Sequence, residues 1–198
     1  MLSDQDREQL QREKQAYRDW WAGDRATPFV LERHKSYRVW DVICPSWLAN
    51  LRFCMRFVVM YFIGKCPVSW IKVRLFRLMG VRIGRRVYIA PGVFLDAFYP
   101  HLIELEDGCL LGIGSRVLTH EVTAGTFRAG KVSIGKGSVV GAWSIIRSGV
   151  TLGQAVTTGF GSVVVCDVAD GLTVGGVPAK PLRQAGPLQR SEIKEGGP

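Results

Sequence analysis

The most regular feature of the chain is an aliphatic residue that recurs at every sixth position in its C-terminal part. The set, which includes one threonine, is Ile83, Ile89, Leu95, then Leu105, Leu111, Val117, then Ile134, Val140, Ile146, Leu152, Thr158 and Val164. A period of six is neither that of a helix nor the two-residue alternation of a half-buried strand. It is typical of a parallel β-helix, in which three short strands form one triangular coil. An ordinary β-sandwich would not produce this period.

The hexads predict a mainly β protein whose coils stack at the strand spacing of about 4.8 Å, with the aliphatic residues filling the prism. The predicted coils cover residues 83–100, 105–122, 134–151 and 152–169. They are interrupted by a small break at 101–104 and a large one at 123–133. We therefore expect a β-helix domain over 81–183, followed by a flexible C-terminal tail over 184–198.

The first 80 residues lack the hexads and predict an N-terminal helical extension. Residues 3–23 are predicted to form a helix, because Ser3 and Asp6 fit a capping box and Gly23 fits a helix end. Residues 24–45 have no clean period and are predicted to be extended. The region 46–79 is both apolar and basic.

Residues 47–63 form the most apolar run, between a possible N-cap at Ser46 and a stop at Gly64. Seventeen residues are at the short limit for crossing a bilayer. Arg52 and Arg56 lie inside the run, and each would cost roughly 2.5–3.5 kcal/mol near the bilayer centre. A spanning helix is therefore disfavoured. An interfacial helix and a helix buried against the main domain or a neighbouring subunit both remain open.

Composition divides the chain at the same place. Of the 23 glycines, all but Gly23 and Gly64 lie at or after Gly80. No acidic residue occurs between Asp41 and Asp96, and this stretch contains Arg52, Arg56, Lys65, Lys72, Arg74, Arg77, Arg82, Arg85 and Arg86. Such a single-sign segment attracts an anionic partner. We expect peripheral membrane contact through 46–86 or a phosphate-bearing substrate; no nucleic-acid-binding motif is present, so nucleic acid is not expected.

The chain resembles the hexapeptide-repeat acyltransferases of the maltose/galactoside and polysaccharide O-acetyltransferase type. The matching segments are MGVRIGRRVYI, LLGIGSRVLTHE, VSIGKGSVVGAWSIIRSGVTLG, GSVVVCDV and VGGVPAKPLR, within residues 79–183. The resemblance implies a left-handed parallel β-helix, a homotrimer with sites between neighbouring prisms, and acetyl-CoA as donor with no metal. It implies transfer to a hydroxyl of a carbohydrate or lipid-linked sugar.

The resemblance places a general base at His120, in LTHE, where the hexads fail. Glu121 occupies a position that normally takes a small inward residue, so we expect the chain to leave the coil near Thr119 and His120 to begin a loop. Imidazole is a suitable base at neutral pH. We predict that the Glu121 carboxylate orients the imidazole of His120, with Glu104 and Asp96 as alternatives. We expect His34 to be an ordinary surface residue and His101 to have no role in the site.

The resemblance places the donor along the later coils. Gly141, Ala142 and Gly159 would let the pantetheine lie close, with the oxyanion amide near Gly141–Ala142, and Lys180 and Arg183 would meet the CoA phosphates. The chain departs from many relatives, having Val139 in place of Trp and Val165-Cys166 in place of Thr-Lys. These departures support the alternative of a non-catalytic β-helix scaffold or membrane-binding module.

The numbers and positions of the histidines and cysteines argue against several other classes of protein. A γ-type carbonic anhydrase needs three histidine ligands per zinc, and only two histidines lie in the repeat. The five cysteines contain no CxxC pair, so neither a zinc site nor a disulfide framework is expected. The polar N-terminus MLSDQDREQ shows no signal-peptide pattern, so we expect a cytoplasmic protein, peripheral on the inner face of the membrane if 46–86 binds lipid.

Overall fold

The computed structural model describes residues 3–23, 27–32, 42, 46–123 and 126–182. Within these ranges it contains three helices: α1 (Asp4–Ala22), α2 (Trp47–Lys65) and α3 (Ser69–Leu78). A short 3-10 helix covers Pro100–Leu102. Short strands form nearly all of the rest.

Three sheets of parallel strands form the sides of a triangular prism, here called the first, second and third faces. The first face contains Arg82–Ile83, Ile103–Leu105, Val132–Ile134 and Thr151–Leu152. The second contains Tyr88–Ile89, Leu110–Leu111, Val139–Val140, Thr157–Thr158, Thr173–Gly175 and, antiparallel at its end, Lys180–Pro181. The third contains Phe94–Leu95, Arg116–Val117, Ile145–Ile146 and Val163–Val164. The chain passes from face to face in this order, which confirms the β-helix.

The hexad residues fill the prism as predicted. In the third face, Leu95 pairs with Val117, which pairs with Ile146, and all three are buried. Thr158 replaces an aliphatic residue without leaving a buried polar atom unsatisfied, because its Oγ1 accepts a hydrogen bond from Gly141 N at 2.8 Å. Each buried side chain therefore contacts its equivalents in the coils above and below.

The sequence also predicted the long helices correctly. Ser3 caps α1 and exchanges hydrogen bonds with Asp6, which is the predicted capping box. Ser46 caps α2, although this helix ends at Lys65, one residue beyond the predicted stop at Gly64. An added Cβ on Gly64 would lie 2.5 Å from Val93 O, so glycine allows α2 to approach the first coil closely.

Helices α2 and α3 pack on the first coil of the prism. Met60, Ile63, Val73 and Phe76 belong to the same buried cluster as the hexad residues. Ser69 Oγ accepts a hydrogen bond from Ile89 N at 2.9 Å, which ties α3 to the second face. The domain boundary near residue 80 stays a prediction.

The segment that begins at His120, before the large break at 123–133, is not a loop, contrary to the prediction. His120–Val122 is a strand and pairs with Thr126–Ala129, and this antiparallel pair is here called the insertion. Strand Phe29–Glu32 adds to its other edge, giving a three-stranded side sheet. The second coil therefore ends before His120, near Thr119 as expected, and does not reach the predicted bound at residue 122. The backbone groups of 120–122 pair with Thr126–Ala129 and not with the next coil.

Candidate active site

The imidazole of His120 is held by a buried carboxylate. His120 Nδ1 lies 2.6 Å from Oδ2 of Asp96, whose side chain is almost inaccessible to solvent. The same Oδ2 accepts hydrogen bonds from the backbone N–H of Thr119 at 2.8 Å and of His120 at 3.1 Å. Oδ1 accepts from Phe98 N at 2.8 Å. Asp96 thus fixes both the ring and the backbone on which the ring is carried.

These hydrogen bonds determine the charge of Asp96. Burial by itself would raise the pKa of this carboxyl, because it disfavours the ionised form. The hydrogen bond and charge of His120, with the backbone N–H groups of Phe98 and Thr119, more than offset the burial and leave the pKa lowered. Asp96 is therefore an ionised carboxylate at neutral pH, even though it is buried.

An ionised carboxylate can only accept hydrogen bonds, so His120 Nδ1 must carry the hydrogen that points at Asp96. In a neutral imidazole the lone pair then lies on Nε2. Asp96 would also stabilise the imidazolium once Nε2 has taken a proton. The pair is therefore suited to general-base catalysis at Nε2, and about a quarter of the His120 side chain remains exposed to solvent.

Aromatic rings enclose the imidazole. The Phe98 ring centre lies 4.3 Å from that of His120, and the Phe53 ring of α2 lies 4.2 Å from that of Phe98. Tyr99 and Phe127 each lie 6.2 Å from the imidazole. This packing limits the ring to one orientation and excludes water from most of its surroundings.

The N-terminal extension supports this aromatic cluster. Tyr17 of α1 forms a hydrogen bond between its hydroxyl and that of Tyr99, at 3.0 Å, and packs on Phe29 of the side sheet. Leu10 and Leu31 are buried in the same cluster. The residues before the repeat are therefore part of the wall that holds His120.

The prediction that Glu121 orients the imidazole is wrong in this structure. Neighbouring residues of a strand point to opposite faces, so Glu121 points away from the His120 ring. Its two carboxylate oxygens share the hydrogen bond from Arg147 Nε, at 2.9 and 3.0 Å, and Oε1 accepts another from Ser148 Oγ at 2.9 Å. Arg128 lies 3.5 Å away. Glu121 thus attaches the insertion to the third coil, and Asp96, one of the two alternatives, holds the ring.

Glu104, the other alternative, is engaged elsewhere. It forms an ion pair with Lys131 at 2.6 Å, and this hydrogen bond is the main cause of its lowered pKa. The sequence contained a signal for Asp96 that we did not use. Its neighbour Leu95 pairs with Val117, so Asp96 sits in the coil directly below the point where the chain leaves the prism. An acidic residue at that position finds hydrogen-bond donors in the backbone where the coils are interrupted, at Phe98 and at Thr119 and His120.

The predicted donor residues lie at the edge between the second and third faces. An added Cβ on Gly141 would lie 2.5 Å from Thr158 O, so this glycine is required by the coil stacking. The Gly141 N–H is used by Thr158 Oγ1, whereas none of the described residues accepts a hydrogen bond from Ala142 N–H. Ala142 is therefore the better oxyanion donor of the two. A Cβ on Gly159 would meet only ordinary contacts, the nearest at 3.4 Å.

Lys180 is exposed and lies at the C-terminal end of the second face, paired antiparallel to Gly175. Several predicted features lie outside the described residues: Arg183, His34, Cys44 and the tail 184–198. Most of the predicted extended segment 24–45 also lies outside them. Within the part of the chain that the structure describes, no three His, Cys, Asp or Glu side chains form a metal-binding group.

A single chain does not bring the two predicted halves of the site together. His120 follows the third face and precedes the first, while Gly141, Ala142 and Gly159 lie at the edge between the second and third faces. These are different edges of the prism. The predicted base and the predicted donor residues are therefore separated within one copy of the chain.

An apolar cavity of about 420 Å³ lies next to the donor edge, between α2 and the prism. Phe57, Tyr61, Phe94 and Ile113 supply apolar walls, and Lys65 and Arg116 supply two cations. Trp143, directly after Ala142, forms another wall. Its backbone has φ of 61°, where the equivalent corners of other coils have glycine, so its conformation is strained. Strain of this kind is found at binding sites.

Comparison with known proteins identifies the class. No protein-family model matches the chain. A Bacillus subtilis protein named "Putative acetyltransferase YvoF" is 30% identical over 131 residues, which cover 66% of this chain and 76% of that protein. The crystal structure of the hexapeptide-repeat acetyltransferase VCA0836 from Vibrio cholerae has a TM-score of 0.58 and 21% identity, over 70% of this chain and 89% of that one, in its complex with acetyl-CoA.

A maltose O-acetyltransferase from Clostridium difficile has a TM-score of 0.52 and 15% identity, over 72% of this chain and 91% of that one. These likenesses confirm the left-handed parallel β-helix. The repeat, the fold and the relatives together define the class, and the chain belongs to the hexapeptide-repeat acetyltransferases. It is therefore an enzyme of the acyltransferase class.

Proposed function

We propose that this chain is an acetyl-CoA-dependent O-acetyltransferase that acts on a hydroxyl of a carbohydrate, with His120 as general base. The observation that carries the proposal is the contact between His120 Nδ1 and the ionised Asp96, which leaves the lone pair on Nε2. The acetyl-CoA complex of the Vibrio protein supports the same donor for this chain.

The reaction then needs no acyl-enzyme. His120 Nε2 takes the proton of the acceptor hydroxyl while the oxygen attacks the thioester carbonyl. The resulting oxyanion is stabilised by a backbone N–H, for which Ala142 is placed at the donor edge. The carbon–sulfur bond breaks, and the CoA thiolate leaves with the proton that the imidazolium returns. The products are the acetyl ester and CoA.

The homotrimer is part of this proposal. Because His120 and the donor edge lie on different edges of one prism, a neighbouring prism must supply the missing half. Three parallel copies around a threefold axis can pair each insertion with the donor edge of the next chain. We also propose a cytoplasmic location, which agrees with the free thiols of the four described cysteines.

The cavity beside Trp143 supports a lipid-linked acceptor. Its walls are apolar, and its two cations, Lys65 and Arg116, would pair with an anionic group. A lipid phosphate or pyrophosphate bearing a sugar has both properties. A free sugar would leave the apolar walls unused.

The His120→Ala variant tests the mechanism. We expect kcat to fall by about 10²- to 10⁴-fold, because a general base is lost, with acetyl-CoA affinity near that of the wild type. Thiol release from acetyl-CoA would be measured against a panel of sugars and lipid-linked sugars. His101→Gln is the matched control, since His101 is a histidine of the same aromatic cluster and packs on Trp21, with 4.5 Å between ring centres. Full transfer by His120→Ala would contradict the mechanism.

Mixing two inactive variants tests the composite site. His120→Ala lacks the base, and Gly159→Trp would fill the donor edge with a bulky side chain. If the site lies between copies, co-refolding the two should restore part of the activity, because some interfaces then carry both intact halves. Absence of any restored activity, with mixed oligomers shown by mass spectrometry, would place the whole site within one chain. A wild type that does not bind acetyl-CoA in calorimetry would favour the non-catalytic scaffold.

A further inference from the structure

Most of the surface of α2 is apolar and exposed. Phe53, Arg56, Met60 and Ile63 form its inner face, against the prism and the aromatic cluster. The outer face carries apolar residues at intervals of three and four, so they lie in one stripe along the helix. Their side chains are 48% to 67% exposed: Leu48, Leu51, Met55, Val58 and Phe62. Soluble proteins seldom expose a contiguous apolar stripe of this length without a binding partner.

The acid-free segment that contains this stripe is rich in exposed cations. Seven of the nine basic residues of the acid-free segment are exposed: Arg52, Lys65, Arg74, Arg77, Arg82, Arg85 and Arg86. The other two point inward. Arg56 donates a hydrogen bond to Phe98 O at 3.0 Å, and Lys72 is fully buried, which lowers its pKa despite the nearby Cys66. Arg82 also pairs with Glu104 at 3.8 Å, so this surface offers fewer free positive charges than the nine that the sequence indicated.

Aromatic residues lie at the ends of the stripe. Trp47 begins α2 and Trp70 lies in the first turn of α3, and both are largely exposed. The Arg74 guanidinium lies over the Trp70 ring, 5.6 Å from its centre. Tryptophan and arginine in this arrangement are typical of the interface between lipid headgroups and acyl chains.

The charges distinguish between the possible occupants. A second copy of this chain placed on the stripe would bring like charges together, and residues 42–95 contain no acidic residue that could pair with them. An anionic lipid surface is complementary to both the apolar stripe and the cations. No helix within the described ranges is long and apolar enough to cross a membrane. The arrangement therefore fits a helix that lies in the plane of the surface.

We propose that the outer face of α2, with the cations of α2 and α3, binds the surface of an anionic bilayer. Phe57 and Tyr61 are exposed and also line the cavity, so the cavity opens at the border of this face. Bound in this way, the enzyme takes an acceptor directly from the membrane. This last step rests on the proposed function, whereas the binding itself does not.

Vesicle flotation tests the proposal. The full chain should float with phosphatidylglycerol vesicles at low salt, float poorly with phosphatidylcholine vesicles, and lose affinity as salt is raised. The double variant Leu51→Glu, Val58→Glu places two charges on the stripe, and we expect its affinity to fall by at least about tenfold. Val30→Glu is the control, because Val30 is similarly exposed but lies on the side sheet.

Two further measurements keep the outcomes separate. The Leu51→Glu, Val58→Glu variant should retain the oligomeric state of the wild type, measured by light scattering, and its affinity for acetyl-CoA. A wild type that stays unbound on phosphatidylglycerol at low salt would overturn the proposal. If the variant also dissociates the oligomer, the stripe is an interface between copies. A wild type that binds vesicles but does not bind acetyl-CoA would contradict the proposed function and would leave the proposal of membrane binding standing.

Discussion

The stacked coils and the region around His120 are stabilised by different kinds of contact. In the coils, each buried residue contacts the equivalent residue of the next coil, as Ile89, Leu111 and Val140 do in the second face. Around His120, the contacts join residues from α1, α2, the first coil and the insertion, and none of them repeats. The first region is built from many equivalent contacts, whereas the second depends on a single arrangement of unlike partners.

This difference shows why the candidate active site lies where the repeat is interrupted. The prism supplies rigid edges, and its regularity leaves no position for a buried carboxylate except where the regularity is broken. Asp96 is 2% exposed and is tolerated because the insertion brings the His120 N–H and imidazole to it, while the backbone N–H groups of Phe98 and Thr119, at the edges of the coils, supply the other hydrogen bonds. The interruption of the repeat is thus what makes a buried ionised pair possible.

The largest effect is expected from breaking the prism core. Leu111 is fully buried, and Leu111→Ala should lower the free energy of unfolding by about 2–5 kcal/mol, from lost burial and the cavity left behind. Leu110→Ala is the matched control, because the preceding side chain of the same strand points outward and is over a third exposed. Urea unfolding would measure both. Equal losses for the two variants would contradict the inward orientation of the hexads.

The sequence predicted the regular region and not the irregular one. The hexad positions and the bounds of α1 were predicted correctly, because a period and a capping box are local properties. The pairing of Phe29–Glu32 with the insertion was missed, because strand pairing between segments distant in sequence leaves no local pattern in either segment. The choice of Asp96 over Glu121 was missed for a different reason: the strand geometry of 120–122 turns Glu121 away from the ring, and the hexad register that places Asp96 beside the exit of the chain was not used.

A smaller effect, dependent on pH, is expected at Asp96. Its pKa in the folded protein is below the value of about 3.9 for an unfolded aspartate, so the ionised form stabilises the fold above that value. This stabilisation is lost as the pH falls through the lowered folded pKa. The Asp96→Asn variant should be less stable than the wild type at neutral pH, and the gap should narrow as the pH drops below about 4.

Urea unfolding of the wild type and Asp96→Asn between about pH 3 and pH 7 measures this narrowing. Glu104 also has a lowered pKa, through Lys131, but it is present in both proteins and cancels in the difference. A gap that stays constant with pH would show that Asp96 stabilises the fold by packing alone. The variant should also lose activity, because an asparagine N–H directed at Nδ1 would select the tautomer whose Nε2 carries the hydrogen.

The smallest effect is expected where α1 contacts the aromatic cluster. Tyr17→Phe removes the hydrogen bond between the Tyr17 and Tyr99 hydroxyls and keeps the ring contact with Phe29, 5.5 Å between centres. A neutral hydrogen bond contributes a net 0.5–1.5 kcal/mol or so, and we expect a loss of about 1 kcal/mol in the free energy of unfolding. Tyr88→Phe is the control, since Tyr88 is about half exposed on the second face.

The activity of Tyr17→Phe decides what α1 contributes to the site. Tyr99 lies 6.2 Å from the imidazole, ring centre to ring centre, so a looser Tyr99 should allow His120 a wider range of orientations. We therefore expect kcat to fall by a few-fold while the KM for acetyl-CoA stays unchanged, because the donor edge is on another part of the prism. A variant that loses stability but keeps the wild-type kcat would show that α1 stabilises the side sheet without positioning the base. In that case the aromatic cluster acts only as a second core, and Asp96 alone orients His120.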